Sequence, residues 1–502
     1  MAEGPDSLDP ELLERLSEAG LAAATAGGAS YAEVRVESIR SQYLSLRDAA
    51  LERSGDDREL GVSVRVLSGG SLGFAASAEL EAGTVAALAG EALAAARLTA
   101  AARPHPVELA PEAGHGRCEW SSQYRIEPAS VPLAEKVERF TDWSRTLLAA
   151  PGIDHATAHL LEVTEDKYFA STLGTTTTQR RVRVQPSLEA LALAEDGSGF
   201  ETMRTLAAPA GRGYEYVLGE GADLDAEVAA LPELLAEKLA APSVEAGTYD
   251  LVIDPTNLWL TIHESVGHAT ELDRALGYEA AYAGTSFVTF DRLGELTYGS
   301  PLMNVTGDRT AAHGLATVGF DDDGVEAQSF DIVSEGRFVG YQLDREFAAK
   351  GGFARSNGCS YASSPLMVPM QRMANVSLAP AAGEGPDLGG LLSGVERGIY
   401  IVGDKSWSID MQRYNFQFTG QRFYRIEGGR LAGQLRDVAY QATTTEFWGS
   451  LAALGGRSTY RLGGAMNCGK GQPGQSAPVS HGCPAALFSG VRVLNTRDEA
   501  GR

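Results

Sequence analysis

Long runs of alternating apolar and polar residues constrain the fold of this chain most strongly. The run AEVRVESIRSQYLSLRDAALE and the region 155–194 have the two-residue period of strands that bury one face. The run RELGVSVRVLSGGSLGFAAS predicts a hairpin that turns at Ser68, Gly69 and Gly70. Helical periodicity marks four further segments, at residues 8–25, after Glu79, at 132–150 and at 224–241. The first half therefore predicts an antiparallel sheet covered by helices.

The chain after residue 246 consists mainly of short strand-like runs between glycines. Examples are GRFVGYQLDREFA, GIYIVGDKSWSIDMQRYNFQFTGQRFYRIEGGRL and ALFSGVRVLNT. The 58 glycines of the chain favour turn-rich β structure. We expect an α+β fold, with an N-terminal α/β region at 1–245 and a β-rich region at 246–502. A stretch rich in proline and glycine, 101–131, is a point where the first region could divide in two.

The charge and the cysteines limit where the chain acts. A net charge of −24 argues against direct nucleic-acid binding, which needs a basic face. The opening MAEGPDSLDPELLERL lacks the charged and apolar pattern of a secretory signal, and Glu91 and Arg97 interrupt the longest alanine-rich run. Four irregularly spaced cysteines indicate thiols or metal ligands in a reducing compartment. These features predict a cytoplasmic protein that binds neither nucleic acid nor membrane.

The segment TIHESVGHATELD places His263 and His268 five residues apart, with Glu264 directly after the first histidine. A buried strand, a capping aspartate and a proline precede it, as at a helix start. Residues five apart on a regular helix point about 140° away from each other, so the two histidines would not bind one ion. A π-type turn, made easier by Gly267, would bring them into line.

Two imidazoles are too few for a catalytic zinc site, which has three protein ligands and one open position. Cys468, in the glycine-dense loop GGAMNCGKGQPGQ, is the best candidate for the third ligand. His481 and Cys483, in SHGCPAA, remain alternatives. Glu264 is placed to take a proton from water that the metal activates and to return it to the leaving amine.

Three motifs together resemble the TldD/PmbA family: HESVGHATELD, QRMANVSL after SNGCSYASS, and NCGKGQPGQSAPVSHG. The first is similar to the His-Glu-x-x-x-His motif of TldD-type subunits. The resemblance implies a zinc metallopeptidase with one Zn²⁺ per motif-bearing subunit, held by His263, His268 and Cys468, with Glu264 as general base. It also implies unfolded or extended peptides as substrates, cut in leader trimming or degradation. The partner would be a second copy or a motif-less TldE/PmbA-like subunit.

Several polar residues near these motifs have two readings. Glu271 and Asp273 match the family's Glu-x-Asp and could bond the second nitrogen of a ligand histidine, or face solvent. Arg372, in QRMAN, could bind a substrate carbonyl or carboxylate, or belong to a structural ion pair. One strand-like run carries four aromatic residues and predicts core packing: Trp407, Tyr414, Phe416 and Phe418.

Two other functions would use the same residues. One is the hydrolysis of a non-peptide amide. The other is a non-catalytic binding or regulatory subunit with a structural zinc, in which His481 or Cys483 would complete four protein ligands.

Overall fold

The computed structural model describes residues 9–194, 199–471 and 474–500, and it confirms the predicted α+β class. Within these residues, the N-terminal half contains one seven-stranded sheet and four α-helices. Its strands are β1 (Tyr31–Arg47), β2 (Ala50–Ser68), β3 (Ser71–Ser77), β4 (Gly116–Ser121), β5 (His155–Ser171), β6 (Thr175–Leu193) and β7 (Phe200–Arg204). Its helices are α1 (Pro10–Ala26), α2 (Ala82–Ala100), α3 (Leu133–Leu148) and α4 (Leu224–Ala240).

The helices cover one face of the N-terminal sheet. The strand order is β3-β2-β1-β5-β6-β4, with β7 beside β6. One core lies under α1 and α2, around Val34 and Val64, and another under α3 and α4, around Leu160 and Val184. The predicted hairpin, paired strands and helices are therefore confirmed. Strand β4, which runs parallel to β6, was not predicted within 101–131.

The polar face of this sheet is also buried, so the prediction of half-buried strands was wrong for the start of β1. Its residues Glu33, Arg35 and Glu37 are at most 3% exposed. Two aspartates of the C-terminal half, Asp322 and Asp323, pair with the cations of this face. Arg35 Nη1 donates to Asp322 at 3.1 Å, and Lys167 Nζ donates to the same carboxylate at 2.7 Å. A buried charged interface thus joins the two halves of the chain.

The C-terminal half is rich in short strands, as predicted. They are β8 (Gly247–Ile253), β9 (Val305–Asp308), β10 (Ser329–Ser334), β11 (Arg337–Phe338), β12 (Ser360–Tyr361), β13 (Met370–Gln371), β14 (Asn375–Leu378), β15 (Arg397–Ile409), β16 (Asn415–Glu427), β17 (Arg430–Leu435), β18 (Val438–Thr443), β19 (Leu451–Leu454), β20 (Arg461–Lys470), β21 (Gln475–Cys483) and β22 (Ala486–Asn495). The helices are α5 (Pro255–Ile262), α6 (Leu272–Ala275), α7 (Arg345–Lys350), α8 (Leu388–Ser393), α9 (Thr444–Gly449) and α10 (Thr496–Ala500).

Five strands of this half form a closed ring that carries the histidine motif. The order β15-β8-β22-β18-β16 closes because β16 also pairs with β15. Strand β8 leads directly into α5, where Asp254 caps the amide of Thr256 and Pro255 takes the first turn. The hairpin β20–β21 pairs separately. In the described ranges, no helix combines the length and the apolar character needed to cross a lipid bilayer.

Candidate metal centre

The histidine motif lies in a π-helical turn, as its spacing predicted. The turn covers His263–Gly267, and the amide of His268 donates to the carbonyl of His263. This i to i+5 bond brings the two imidazole rings to 4.7 Å between centroids. Gly267 is needed for space rather than for backbone freedom, because a Cβ atom there would lie 2.5 Å from Met373 Sδ.

A relay of hydrogen bonds fixes the tautomer of His263. His481 Nδ1 donates to the carbonyl of Val376 at 2.8 Å, and burial holds the pKa of His481 well below its usual range. Neutral His481 therefore accepts at Nε2, and His263 Nδ1 donates to it at 2.7 Å. His263 Nε2 is left with a free lone pair, the form in which histidine binds a metal.

Glu271 fixes the second histidine in the same way. His268 Nδ1 donates to Glu271 Oε2 at 2.8 Å, which leaves Nε2 free. Lys470 Nζ holds the other oxygen of Glu271 at 3.0 Å and Asp273 at 2.8 Å. Burial opposes ionisation of Glu271, but Lys470 and His268 outweigh it and keep its pKa well below the usual range. Asp273 thus bonds Lys470 and not a histidine, contrary to one of its two sequence readings.

Cys468 lies in strand β20, whereas the sequence predicted that it lies in a loop. An extra residue between Ala465 and Cys468 forms a bulge against β21, and a bulge of this kind re-aims the side chains that follow it. Cys468 Sγ then lies 3.5 Å from His268 Nε2 and 3.2 Å from Arg372 Nη2. Burial disfavours the thiolate, but His268 and Arg372 together lower the pKa of Cys468.

The donor atoms of His263, His268 and Cys468 all lie within 4.8 Å of one another, and each residue is at most 5% exposed. Ligand atoms around a tetrahedral zinc lie roughly 3.3 to 3.7 Å apart, given bond lengths of about 2.0 to 2.3 Å. Two imidazole nitrogens with free lone pairs and one acidified thiol form a donor set that suits zinc. The residues present therefore fit the ion.

The alternative ligands do not join this cluster. Both ring nitrogens of His481 are used in the relay. Cys483 Sγ contacts the carbonyl of Pro255 at 3.7 Å, and burial raises its pKa. Among the residues that the structure describes, only three donors converge.

Glu264 follows the first histidine and faces a cavity. Burial alone would raise its pKa, but His263, His268 and Arg413 lower it, so the carboxylate is ionised at neutral pH. Arg413 forms an ion pair with Glu264. Sequence reasoning missed this arginine, because it lies 149 residues away and belongs to no motif.

The cavity has a volume of about 1540 Å³ and lies between the two halves of the chain. Tyr216 lines its N-terminal wall, and Trp259 and Trp407 line its C-terminal wall. The predicted core packing of the aromatic run holds for Phe416 and Phe418 but is wrong for Trp407, which is 52% exposed.

Arg372 bonds backbone carbonyls and not the carboxylate that a structural ion pair would supply. It is 1% exposed and lies outside the cavity wall. Its guanidinium donates to the carbonyls of Cys468 and Gln475 at 2.5 and 3.1 Å, and its described contacts include no carboxylate. Arg372 therefore holds the strand that carries Cys468, and its contact with a substrate stays a prediction.

Comparisons with known proteins identify the family of this chain. A model described as the PmbA/TldA metallopeptidase C-terminal domain matches residues 246–495, and one described as PmbA/TldA metallopeptidase domain 1 matches 32–96. A metalloprotease of Methanothermobacter thermautotrophicus is 28% identical over 471 residues, covering 93% of this chain and 96% of the relative. A zinc metalloprotease TldD homolog of Saccharolobus solfataricus is 24% identical over 272 residues, covering 54% and 57%.

Solved structures have the same fold. A Thermotoga maritima protein, a candidate modulator of a DNA gyrase, matches with a TM-score of 0.75 at 17% identity, covering 96% of this chain and 99% of that one. TldE from Thermococcus kodakarensis matches with a TM-score of 0.68 at 15% identity, covering 96% and 99%. Domain models and relatives together show that this chain belongs to the PmbA/TldD metallopeptidase family.

Proposed function

We propose that this chain is a TldD-type, catalytic subunit of a zinc peptidase that hydrolyses unfolded or extended peptides. The observation that supports it most is the convergence of His263, His268 and Cys468 without a fourth protein donor among the described residues. Structural zinc sites normally fill four protein positions, whereas catalytic sites keep one open. This argues against a non-catalytic subunit with a structural zinc.

The residues around the cluster divide the chemistry between them. His263 Nε2, His268 Nε2 and Cys468 Sγ would hold one Zn²⁺, which supplies a Lewis acid that activates water. Glu264 accepts a proton from the attacking water and delivers it to the leaving amine.

The size of the cavity favours a peptide over a small amide as substrate. Pockets for small molecules measure about 300 to 1,000 Å³, and this cavity is larger, at about 1540 Å³. Its aromatic and polar walls suit an extended chain that enters between the two halves.

The proposal includes a dimer, either of two copies or with a motif-less TldE/PmbA-like subunit. The likeness to the TldE fold supports the second form. It also includes a cytoplasmic location, with which the four unpaired cysteines agree. The boundary between the two regions stays at residue 245, next to the start of the matched C-terminal domain.

Replacing His268 with alanine tests the function directly. We expect the wild-type chain, alone or with its partner, to hold about one zinc per subunit and to cleave an unfolded peptide library. His268→Ala should lose both, because two ligands hold the ion far more weakly than three. Zinc content by atomic emission and cleavage by mass spectrometry measure the effect. Absent zinc in the wild type, or undiminished cleavage by the variant, would refute the proposal.

Replacing Glu271 with glutamine should weaken zinc binding by about 10- to 100-fold, because the carboxylate that orients His268 is lost. Competition with a chelating dye measures this affinity. Glu295→Gln is the matched control, since that glutamate is exposed and lies outside the site. Equal affinity in Glu271→Gln and the control would exclude an orienting role for Glu271.

A further inference from the structure

Arg413 is held in an unusual backbone conformation beside the metal cluster. Its φ of +64° lies in the left-handed region, which residues other than glycine rarely adopt. Neighbouring hydrogen bonds impose this conformation. The carboxylate of Asp410 accepts from the amides of Gln412 and Tyr414, and Thr444 donates to the carbonyl of Arg413. Strain that its surroundings enforce in this way is concentrated at functional sites.

The guanidinium of Arg413 lies inside the catalytic cavity. It is 14% exposed, lines the cavity with Glu264 and forms the ion pair with that residue. His263 and Cys468 line the same cavity. The Nε of Arg413 is buried and has no hydrogen-bond partner in the described part of the chain. The group therefore has donor capacity that Glu264 does not use.

The ion pair is not compatible with every step of peptide hydrolysis. When Glu264 takes a proton from water it becomes neutral, and Arg413 loses the charge that balances it. Negative charge develops at the same time on the oxygen of the scissile carbonyl, and a buried cation requires an anion. Arg413 therefore loses its anionic partner at the moment when a new negative charge forms on the carbonyl oxygen in the same cavity.

We propose that Arg413 is a further catalytic residue, which passes from Glu264 to the carbonyl oxygen as that oxygen becomes negative. This role rests on the peptidase function proposed above. A planar guanidinium with several donors in a fixed fork suits an oxyanion that forms beside it.

The step balances in atoms and charge. The water oxygen forms a bond to the carbonyl carbon, the π electron pair moves to the carbonyl oxygen, and Glu264 takes one water proton. The C–N bond then breaks as the pair returns from the oxygen. Both water protons end on the amine, the first by way of Glu264, and the products are a carboxylate and an ammonium group. Arg413 only donates hydrogen bonds and returns to Glu264.

Arg413→Met should lower kcat by about 100- to 1,000-fold with little change in KM, as the loss of one oxyanion donor does elsewhere. Its affinity for a phosphinic peptide, which imitates the tetrahedral state, should fall by a similar factor. Its affinity for an uncleaved N-methylated peptide and its zinc content should stay within about twofold. Calorimetry measures both affinities. Arg413→Lys should recover part of the loss, because it keeps the charge but not the fork.

A double variant separates catalysis from positioning. In a Glu264→Gln background, Arg413→Met should still weaken phosphinic peptide binding, because the oxyanion contact does not need Glu264. No further weakening there would mean that Arg413 only positions Glu264, and equal weakening for both peptides would mean ordinary substrate binding. Either result overturns the inference.

Arg425→Met is the matched control, because Arg425 is an exposed arginine of β16 paired with Glu427 outside the cavity. If the wild-type protein bound no zinc and cleaved no peptide, the proposed peptidase function itself would be refuted. Full cleavage by Arg413→Met would refute only the role of Arg413.

Discussion

Replacing Glu264 with glutamine is expected to lower peptide cleavage by about 10²- to 10⁴-fold while leaving bound zinc unchanged. Glutamine keeps the shape of the side chain and its place in the π turn but cannot accept the proton from water. The three donors that would hold zinc are on other residues, and His263 keeps its bond to His481. Zinc content and cleavage of one defined peptide, measured on the same preparation, provide both readouts.

Glu396→Gln is the control for this experiment, because Glu396 is exposed and does not line the cavity. It should match the wild type in cleavage and in zinc content. If Glu264→Gln cleaved the peptide as fast as this control, another group would have to be the base. Loss of zinc in Glu264→Gln would instead place Glu264 among the groups that hold the ion.

The sequence predicted the geometry of the histidine motif because one physical constraint applied to it. Two histidines five residues apart share an ion only if the helix widens locally, and the π turn at His263–Gly267 does this. The preceding strand, Asp254 and Pro255 are local signals that reliably mark a helix start. Local spacing therefore contained most of the information about this half of the site.

The other half of the site depends on contacts between distant segments. The bulge that re-aims Cys468 arises from the register of β20 against β21, which single-sequence patterns do not specify. His481 was considered as a ligand, yet both of its ring nitrogens form hydrogen bonds, one of them to His263. Arg413 lies 149 residues from Glu264 in the chain. A left-handed backbone position is usually marked in a sequence by glycine or asparagine, but here the residue is an arginine.

The alternation in β1 predicted the strand correctly and its environment wrongly. A polar face on a strand usually meets water, but here Arg35 pairs with Asp322, and the acids Glu33 and Glu37 pair with cations that bind the same aspartate segment. Charges of opposite sign on segments almost 300 residues apart neutralise each other. The two-residue period of the strand is the same whether its polar face meets water or these charges. Hydrophobic pattern therefore indicates which residues form a core but not which polar residues are buried together.

Replacing Asp322 with alanine is expected to destabilise the protein by about 3 to 5 kcal/mol, as breaking a buried ion pair does. Asp322 is 3% exposed and accepts hydrogen bonds from Arg35, Lys167 and the amide of Ala362. Its loss leaves two buried cations short of a counter-ion and one amide without its acceptor. Urea unfolding, followed by tryptophan fluorescence and by circular dichroism, should show the midpoint at lower urea.

Two further variants attribute this loss to charge rather than to shape. Asp322→Asn keeps the size of the side chain and an acceptor for Ala362, so a loss close to that of alanine would assign the effect to the uncompensated cations. Glu427→Ala removes a carboxylate from an exposed pair with Arg425 and should cost less than about 1 kcal/mol. A midpoint for Asp322→Ala equal to that of Glu427→Ala would contradict the view that the buried charges hold the two halves together.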